Sequence, residues 1–432
     1  MTATTEPPPR IATLDIVRGV AVMGILAMNI VAFAMPPAAY LNPTAYGSDG
    51  GLDYASWAFS FVFIDGKMRG LFSFLFGASL LLVIQKAEAK GESPAEVHFR
   101  RMLWLLLFGW LHFLFIWYGD ILTGYASIGL LAWFFRGMAP RRLVVWGIVL
   151  VLLEFALMSA FAARTHALAA TLAASPGDAR AAAAMAEMGE EVAVPSAAEM
   201  AEQMRMFLGG YWGVVRSQFG EHVTDPLFML FVFGWETLGY MLLGMAALKS
   251  GFLTGAWDDG RYRRVALAGF AIAIPAYSAL AWLLYRDGFT VPGVFTFSFA
   301  GTVLLRPVMV LAIAALIILL TRRGGPLTAR IAAAGRAAFT NYLGTSILMT
   351  AFFYGWGAGL FGRFSRIELW LVVFAMWGLM LAWSKPWLDR HLHGPFEWLW
   401  RSLARWRRQP MRKPVTPLPL FAGEGGAREA GG

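Results

Sequence analysis

Long apolar runs interrupted by single charges constrain this chain more than any other feature. The first, Ile11 to Pro36 (IATLDIVRGVAVMGILAMNIVAFAMP), is long enough to cross a bilayer and still carries Asp15, Arg18 and Asn29. A helix turns about 100° and rises about 1.5 Å per residue, so Arg18 and Asn29 share a face about 16 Å apart along the axis. Val22 and Ile25 lie between them on the same stripe, and Asp15 sits about 60° round from Arg18. Ionisable groups at membrane depth cost a few kcal/mol each unless paired or wetted, so this polar seam is expected to face a bundle interior or a cavity.

Further runs follow at 57–85, 102–118, 121–135, 143–162, 227–248, 265–285, 295–320, 337–354 and 369–383. The expected fold is therefore all-α, a polytopic membrane helix bundle of about 10 transmembrane helices. The second run is broken by Asp65-Gly66-Lys67-Met68-Arg69. Counting back from Gln85 puts that break about 30 Å away, near the opposite interface, with 57–64 as an interfacial or re-entrant lead-in. The organisation expected is a disordered Pro-rich leader (1–10), two membrane bundles of about five spans each (11–162 and 226–385) around an extracytoplasmic loop (163–225), and a basic cytoplasmic tail (386–432). Ala32-Phe33-Ala34 resembles a signal-peptide cleavage site, but the charges in the preceding run argue for a retained span.

Hydrophobic residues make up 58% of the 432 and charged residues only 15%, a balance outside the soluble range. With no cysteine, disulfides, thiolate metal sites and cysteine nucleophiles are excluded. The net charge of +9 does not point to nucleic acid, because the basic residues fall between apolar runs and in the tail. With the N-terminus in the cytoplasm, Lys86, Lys90, Arg100, Arg101, Arg136, Arg141, Arg142, Lys249, Arg261, Arg263, Arg264, Arg322, Arg323, Arg330 and Arg336 lie on the cytoplasmic side. Only Arg164, Arg180, Arg205, Arg216, Arg286, Arg363 and Arg366 lie opposite. The positive-inside rule and the even number of spans then expect both termini in the cytoplasm. The Arg- and Trp-rich stretch 385–413 reads as an amphipathic helix on anionic lipid. The loop 163–225 reads as a surface hairpin at the interface, with a lid over an outward-facing site as the alternative.

The polar residues inside the apolar runs are the candidates for chemistry. His112 lies in the third run, followed eight residues later by Asp120. On one ideal helix that step is about two turns plus 80°, so the two could border one cavity but not hydrogen-bond. A histidine with a carboxylate nearby suits general base catalysis; equally, His112 suits a backbone hydrogen bond and Asp120 the cap of the next helix. Asp65, Lys67 and Arg69 form a second group, able to hold an anion or simply to mark the interface by snorkelling. Glu154, Glu236 and Arg306 are single mid-span charges, of which Glu236 and Arg306 could pair. Arg306-Pro307 predicts a kink. Thr340-Asn341-Tyr342 reads more as helix-packing glue than as catalysis. Walker, dinucleotide-binding, HExxH and nucleophile-elbow motifs are absent from the sequence, and His98, His391 and His393 are too scattered to suggest a metal.

The segments RIATLDIVRGVAVMGILAMNI, AAYLNP, KMRGLFSFLFGAS, FGWLHFLFIWYGDILTGYASIGLL, GRAAFTNYLGTS and HGPFEWLWR, in this order from Arg10 to about Arg405, resemble the YeiB-like family of bacterial inner-membrane proteins. The opening motif is also similar to that of the transmembrane acyltransferases, among them the enzyme that acetylates heparan glucosamine and those acting on bacterial surface polysaccharides. The polysaccharide enzymes place a basic residue eleven positions before a catalytic histidine; here Arg18 matches the first position and Asn29 stands at the second. Asparagine can position or polarise but cannot act as a base. The resemblance implies an acyl-CoA-like donor approached from the cytoplasm and an acceptor in the membrane or envelope. In that reading Arg18, Arg100 and Arg101 hold the donor phosphates, Asn29 polarises the acyl carbonyl, and His112 with Asp120 deprotonates the acceptor. Asp15, Asp65, Lys67, Arg69, Arg306 and Asn341 complete the substrate-binding candidates. The competing reading is a transporter or flippase for a small anionic or lipid-linked solute using the same seam.

Overall fold

A computed structural model describes residues 11–48, 50–220 and 222–413. The expected leader (1–10) and the end of the tail (414–432) lie outside the described residues. The helices in chain order are α1 (Ala12–Ala34), α2 (Gly51–Phe63), α3 (Lys67–Ala89), α4 (Pro94–Phe115), α5 (Leu122–Ala132), α6 (Pro140–Ala174), α7 (Ala179–Gly189), α8 (Ala197–Leu208) and α9 (Tyr211–Gly220). They continue as α10 (Asp225–Lys249), α11 (Asp259–Asp287), α12 (Val291–Val303), α13 (Leu305–Thr321), α14 (Pro326–Arg336), α15 (Ala338–Phe353), α16 (Leu369–Arg390) and α17 (Pro395–Ala404). Among the described residues the only β pairing is a single bridge between His391 and Arg412. The molecule is an all-helical membrane bundle.

Among the described residues six helices are long and apolar enough to cross a membrane: α1, the α2–α3 pair taken as one, α6, α10, α11 and α16. The bent pair α12–α13 makes a seventh. The expected spans at 102–118, 121–135 and 337–354 fall on α4, α5 and α15, which are shorter or more polar and do not meet that test.

Helix ends follow local chemistry. Ser93 caps α4 with Pro94 in its first turn, Ser196 and Glu199 form a capping box on α8, and Gly288 closes α11 in the left-handed conformation. Pro307 has no N–H to give to the carbonyl of Val303, and the chain bends by 52° between α12 and α13 at that point. The expected kink thus falls one turn before its proline, and residues Val294–Ala300 ahead of it are wound as π-helix.

The packing interleaves the two halves of the chain. α10 lies along α3 and α6, while α1 lies along α14 and α15. At the α3–α10 crossing Gly77 faces the backbone of Met241 and Gly244 faces the backbone of Phe74, so neither position has room for a Cβ. Around this crossing lies one buried apolar cluster that includes Leu71, Phe74, Met241 and Met245; a second surrounds α1 and α15, with Phe33, Phe353 and Phe361.

Three expectations change. The stretch before the break at 65–66 is a helix, α2, that packs on α11 and buries Trp57 and Phe61. The 163–225 region begins as a continuation of α6 and then docks on the bundle. Phe207 is buried and stacks on Phe361 at 4.5 Å, with Tyr354 and Tyr118 beside it, and Val192 is buried where its carbonyl accepts from Asn42. The tail helix α17 also docks on protein. Trp400 donates to the Arg101 carbonyl at 2.9 Å, and Glu397 accepts from Phe339 N at 2.6 Å, Thr340 N at 3.1 Å and the Thr340 hydroxyl at 2.5 Å. A carboxylate there meets the unpaired amides that begin α15. Burial pushes the Glu397 carboxyl up, and the hydrogen bonds from Thr340 and Phe339 oppose that push.

Candidate functional site

Two polar constellations lie inside the bundle. In the first, α4 ends at Phe115, only three residues past His112, and the chain turns back before α5 begins. That reversal brings Asp120 Oδ1 to 2.9 Å from His112 Nδ1, with both side chains buried. Ideal-helix spacing had excluded this bond; it forms because the two residues do not share a helix. Asp120 Oδ2 accepts from Thr123 N at 2.8 Å, so one carboxylate both caps α5 and holds the imidazole. An ionised carboxylate only accepts, so Nδ1 carries a proton, and in the neutral ring Nε2 is then the lone-pair nitrogen. Nε2 has no hydrogen-bond partner among the described residues.

The ring of His112 lies against those of Tyr342, at 5.2 Å between centroids, and Trp117, at 6.3 Å. Both rings line a small cavity whose other walls are Val22, Ile25, Leu26, Asn29, Phe33, Thr345 and Ser346. The stripe read from the first apolar run thus faces this cavity from Val22 to Asn29. Trp117 Nε1 and Thr345 Oγ1 are also buried without a hydrogen-bond partner. Trp117, Thr345 and Ser346 were not singled out by sequence reasoning. A signal for the last two existed: they stand one turn beyond Asn341 and Tyr342 on an apolar helix.

The other candidates are distributed as follows. Arg18 pairs with Asp15 at 3.0 Å and donates to Ser79 Oγ at 2.7 Å, one polar unit at the start of α1. Arg100 pairs with Glu96 at 2.8 Å on the exposed surface of α4, whereas the Arg101 guanidinium lies 4.0 Å from the centre of the Trp400 ring and so faces the docked tail helix. Asn341 binds the Ala334 carbonyl, Ser384 and Trp383, tying α15 to α14 and α16.

The second constellation sits at the broken helix. Glu236 is held by Arg69 at 3.0 Å through one oxygen and by Arg306 through the other; Arg306 also donates to Thr302 Oγ1 at 2.7 Å. The Glu236–Arg306 pair is the one suggested by their mid-span positions. Gly66, at φ +69°, lets the chain turn against Arg306, where a Cβ would meet Nε at 2.6 Å. Lys67 is not a snorkelling cation. Its side chain is 1% exposed, donates to the Phe61 carbonyl, and lies 3.5 Å from the centre of the Tyr277 ring, because α2 folds back over it and α11 closes the other side. Asp65 accepts from the Tyr40 hydroxyl at 3.2 Å and lines a cleft with Ser56, Ser60, Trp57 and Arg366. α1 separates this cleft from the His112 cavity: Ala27, Met28, Ile30 and Val31 face one, and Val22, Ile25, Leu26 and Asn29 the other.

Among the described residues no group of three or more His, Asp and Glu could hold a metal. A family model described as "Protein of unknown function (DUF418)" matches residues 247–407. The "Uncharacterized protein YeiB" of Escherichia coli strain K12 is 33% identical over 409 residues, covering 91% of this chain and 96% of that protein. The chain belongs to the DUF418 family. Another relative, the "Uncharacterized protein YxaH" of Bacillus subtilis strain 168, is 30% identical over 412 residues, covering 94% and 96%. The DUF418 match takes in Arg306, Asn341, Tyr342, Thr345 and Ser346, while Arg18, Asn29, His112 and Asp120 precede it. No solved structure gives a significant match.

Proposed function

We propose that the protein is a transmembrane acyltransferase that moves an acyl group from an acyl-CoA-like donor on the cytoplasmic side to a hydroxyl or amine acceptor in the membrane or beyond it. The observation that carries this reading is the buried His112–Asp120 pair, whose Nε2 is left without a partner. In the step proposed, Nε2 takes the proton of the acceptor as its oxygen or nitrogen attacks the thioester carbonyl. Asp120 holds the tautomer and offsets the imidazolium charge. Asn29 donates to the developing oxyanion, and the thiolate leaves with the proton from His112. The polar unit of Asp15, Arg18 and Ser79 stands about 16 Å below Asn29 on α1, where an extended thioester arm could be gripped by its phosphate end.

The topology that fits is ten spans with both termini in the cytoplasm of a bacterial inner membrane, counting α4, α5 and α15 with the seven apolar spans. A periplasm-active reporter fused at residue 190 should be active; cytoplasmic activity there would overturn the orientation. The activity itself is tested by incubating purified protein with radiolabelled acetyl-CoA and following CoA release and thermal shift. Absence of both binding and hydrolysis, with His112→Ala leaving the cellular phenotype intact, defeats the enzyme reading. Transport of a small anionic solute is the second reading, favoured by the Arg69–Glu236–Arg306 cluster at a helix break.

A further inference from the structure

The charge cluster has one member that the acyl-transfer reading does not use. Glu154, on α6, is 1% exposed and sits between Val151 and Met158, which pack with Val232 and Val303 in an apolar patch. Its Oε2 has no hydrogen-bond partner, and no cation lies within ion-pair distance of it among the described residues. The charges acting on it are Glu236 on α10, Arg69 on α3 and Arg306 on α13. α12, also packed on α6, carries no ionisable side chain, and α7 brings Arg180 and Glu187, neither of which is among those charges.

Two opposing terms meet at this carboxyl. Burial of Oε2 without a partner, beside a second carboxylate, penalises the anion, while a hydrogen bond from the Glu236 backbone N–H favours it. Charge balance favours the anion: with Glu154 ionised, the two carboxylates Glu154 and Glu236 match the two guanidiniums Arg69 and Arg306, which a low-dielectric interior rewards. Glu236 cannot play the same part, because two arginines hold both its oxygens. A metal cation is disfavoured by those same arginines. We propose that Glu154 is a reversible proton-binding site in the membrane core: one proton converts its carboxylate to the carboxylic acid and leaves the Arg69–Glu236–Arg306 cluster with one uncompensated positive charge. The site also stands beside the π-helical and bent stretch of α12–α13.

The test is infrared difference spectroscopy of the full-length protein in lipid nanodiscs as pH is stepped. The expected result is a protonated-carboxyl C=O band that grows as pH falls, is lost in Glu154→Gln and is displaced in Glu154→Asp. A band that persists in Glu154→Gln, or no titrating band in the wild type, overturns the proposal. If Glu154→Gln does not fold, Glu236→Gln carries the decision. Removing the facing negative charge and releasing two arginines should move the midpoint to lower pH, and an unmoved midpoint overturns the proposal. His112→Ala should leave the band in place, so this result stands or falls apart from the acyl-transfer reading.

Discussion

The pair His112–Asp120 and the trio Arg69–Glu236–Arg306 both lie inside the bundle, the pair joining residues eight apart and the trio three helices distant in sequence, yet they differ in what is left over. In the trio both oxygens of Glu236 are taken by arginines, so the group ties α3, α10 and α13 together. In the pair Asp120 is fully engaged but His112 keeps a lone pair beside a cavity. On the proposed acyl transfer, that open nitrogen is what sets the pair apart from the trio, whose one unpartnered atom, Arg306 Nε, can only donate.

The sharpest way to break this contrast is His112→Gln, whose amide can still meet Asp120 but cannot act as a base. Acyl transfer should fall by about 10²–10⁴-fold with the thermal midpoint near wild type. A variant that loses its fold instead would place His112 with the groups that tie helices together. Glu236→Ala should do the opposite. Leaving two arginines uncompensated costs about 3–5 kcal/mol, read as a large drop in unfolding midpoint in detergent; an unchanged midpoint would remove the trio from the framework. Gly244→Val approaches the trio without touching a charge. Its side chain meets the Phe74 backbone and forces α3 from α10, so a loss of about 1–3 kcal/mol is expected from the same melting experiment. Smallest is Glu397→Ala, which uncaps α15 for about 1 kcal/mol. Because α15 carries Tyr342, Thr345 and Ser346, CoA release should weaken severalfold in the same variant, and full activity would show the cavity to be indifferent to its cap.

The sequence makes the class of fold and most of the helices legible, because apolar runs and their flanking arginines report directly on the bilayer. Glu236 and Arg306 were also readable as partners, since each is an isolated mid-span charge that needs one. The His112–Asp120 bond was not, because hydropathy continues through Ile116 and Trp117 and hides the end of α4; Gly119-Asp120 marks only the start of the next helix. Lys67 was hidden for a related reason: nothing local says that α2 folds back over it or that Tyr277, 210 positions along the chain, supplies a ring above it. The cavity combines both cases. Its α1 stripe was visible as a periodicity, whereas Trp117 arrives from a turn and Thr345 and Ser346 from the far half of the chain.

The docking of α17 has a practical consequence for handling the protein. Glu397 closes the first turn of α15, and Trp398 and the bridge at His391 hold the segment as far as Lys413. A purification tag appended after that residue leaves every one of these contacts in place, whereas trimming the chain at residue 394 as a dispensable basic tail would strip the cap from the helix that walls the histidine cavity. Where the chain is cut for expression therefore decides whether the interior is being assayed at all.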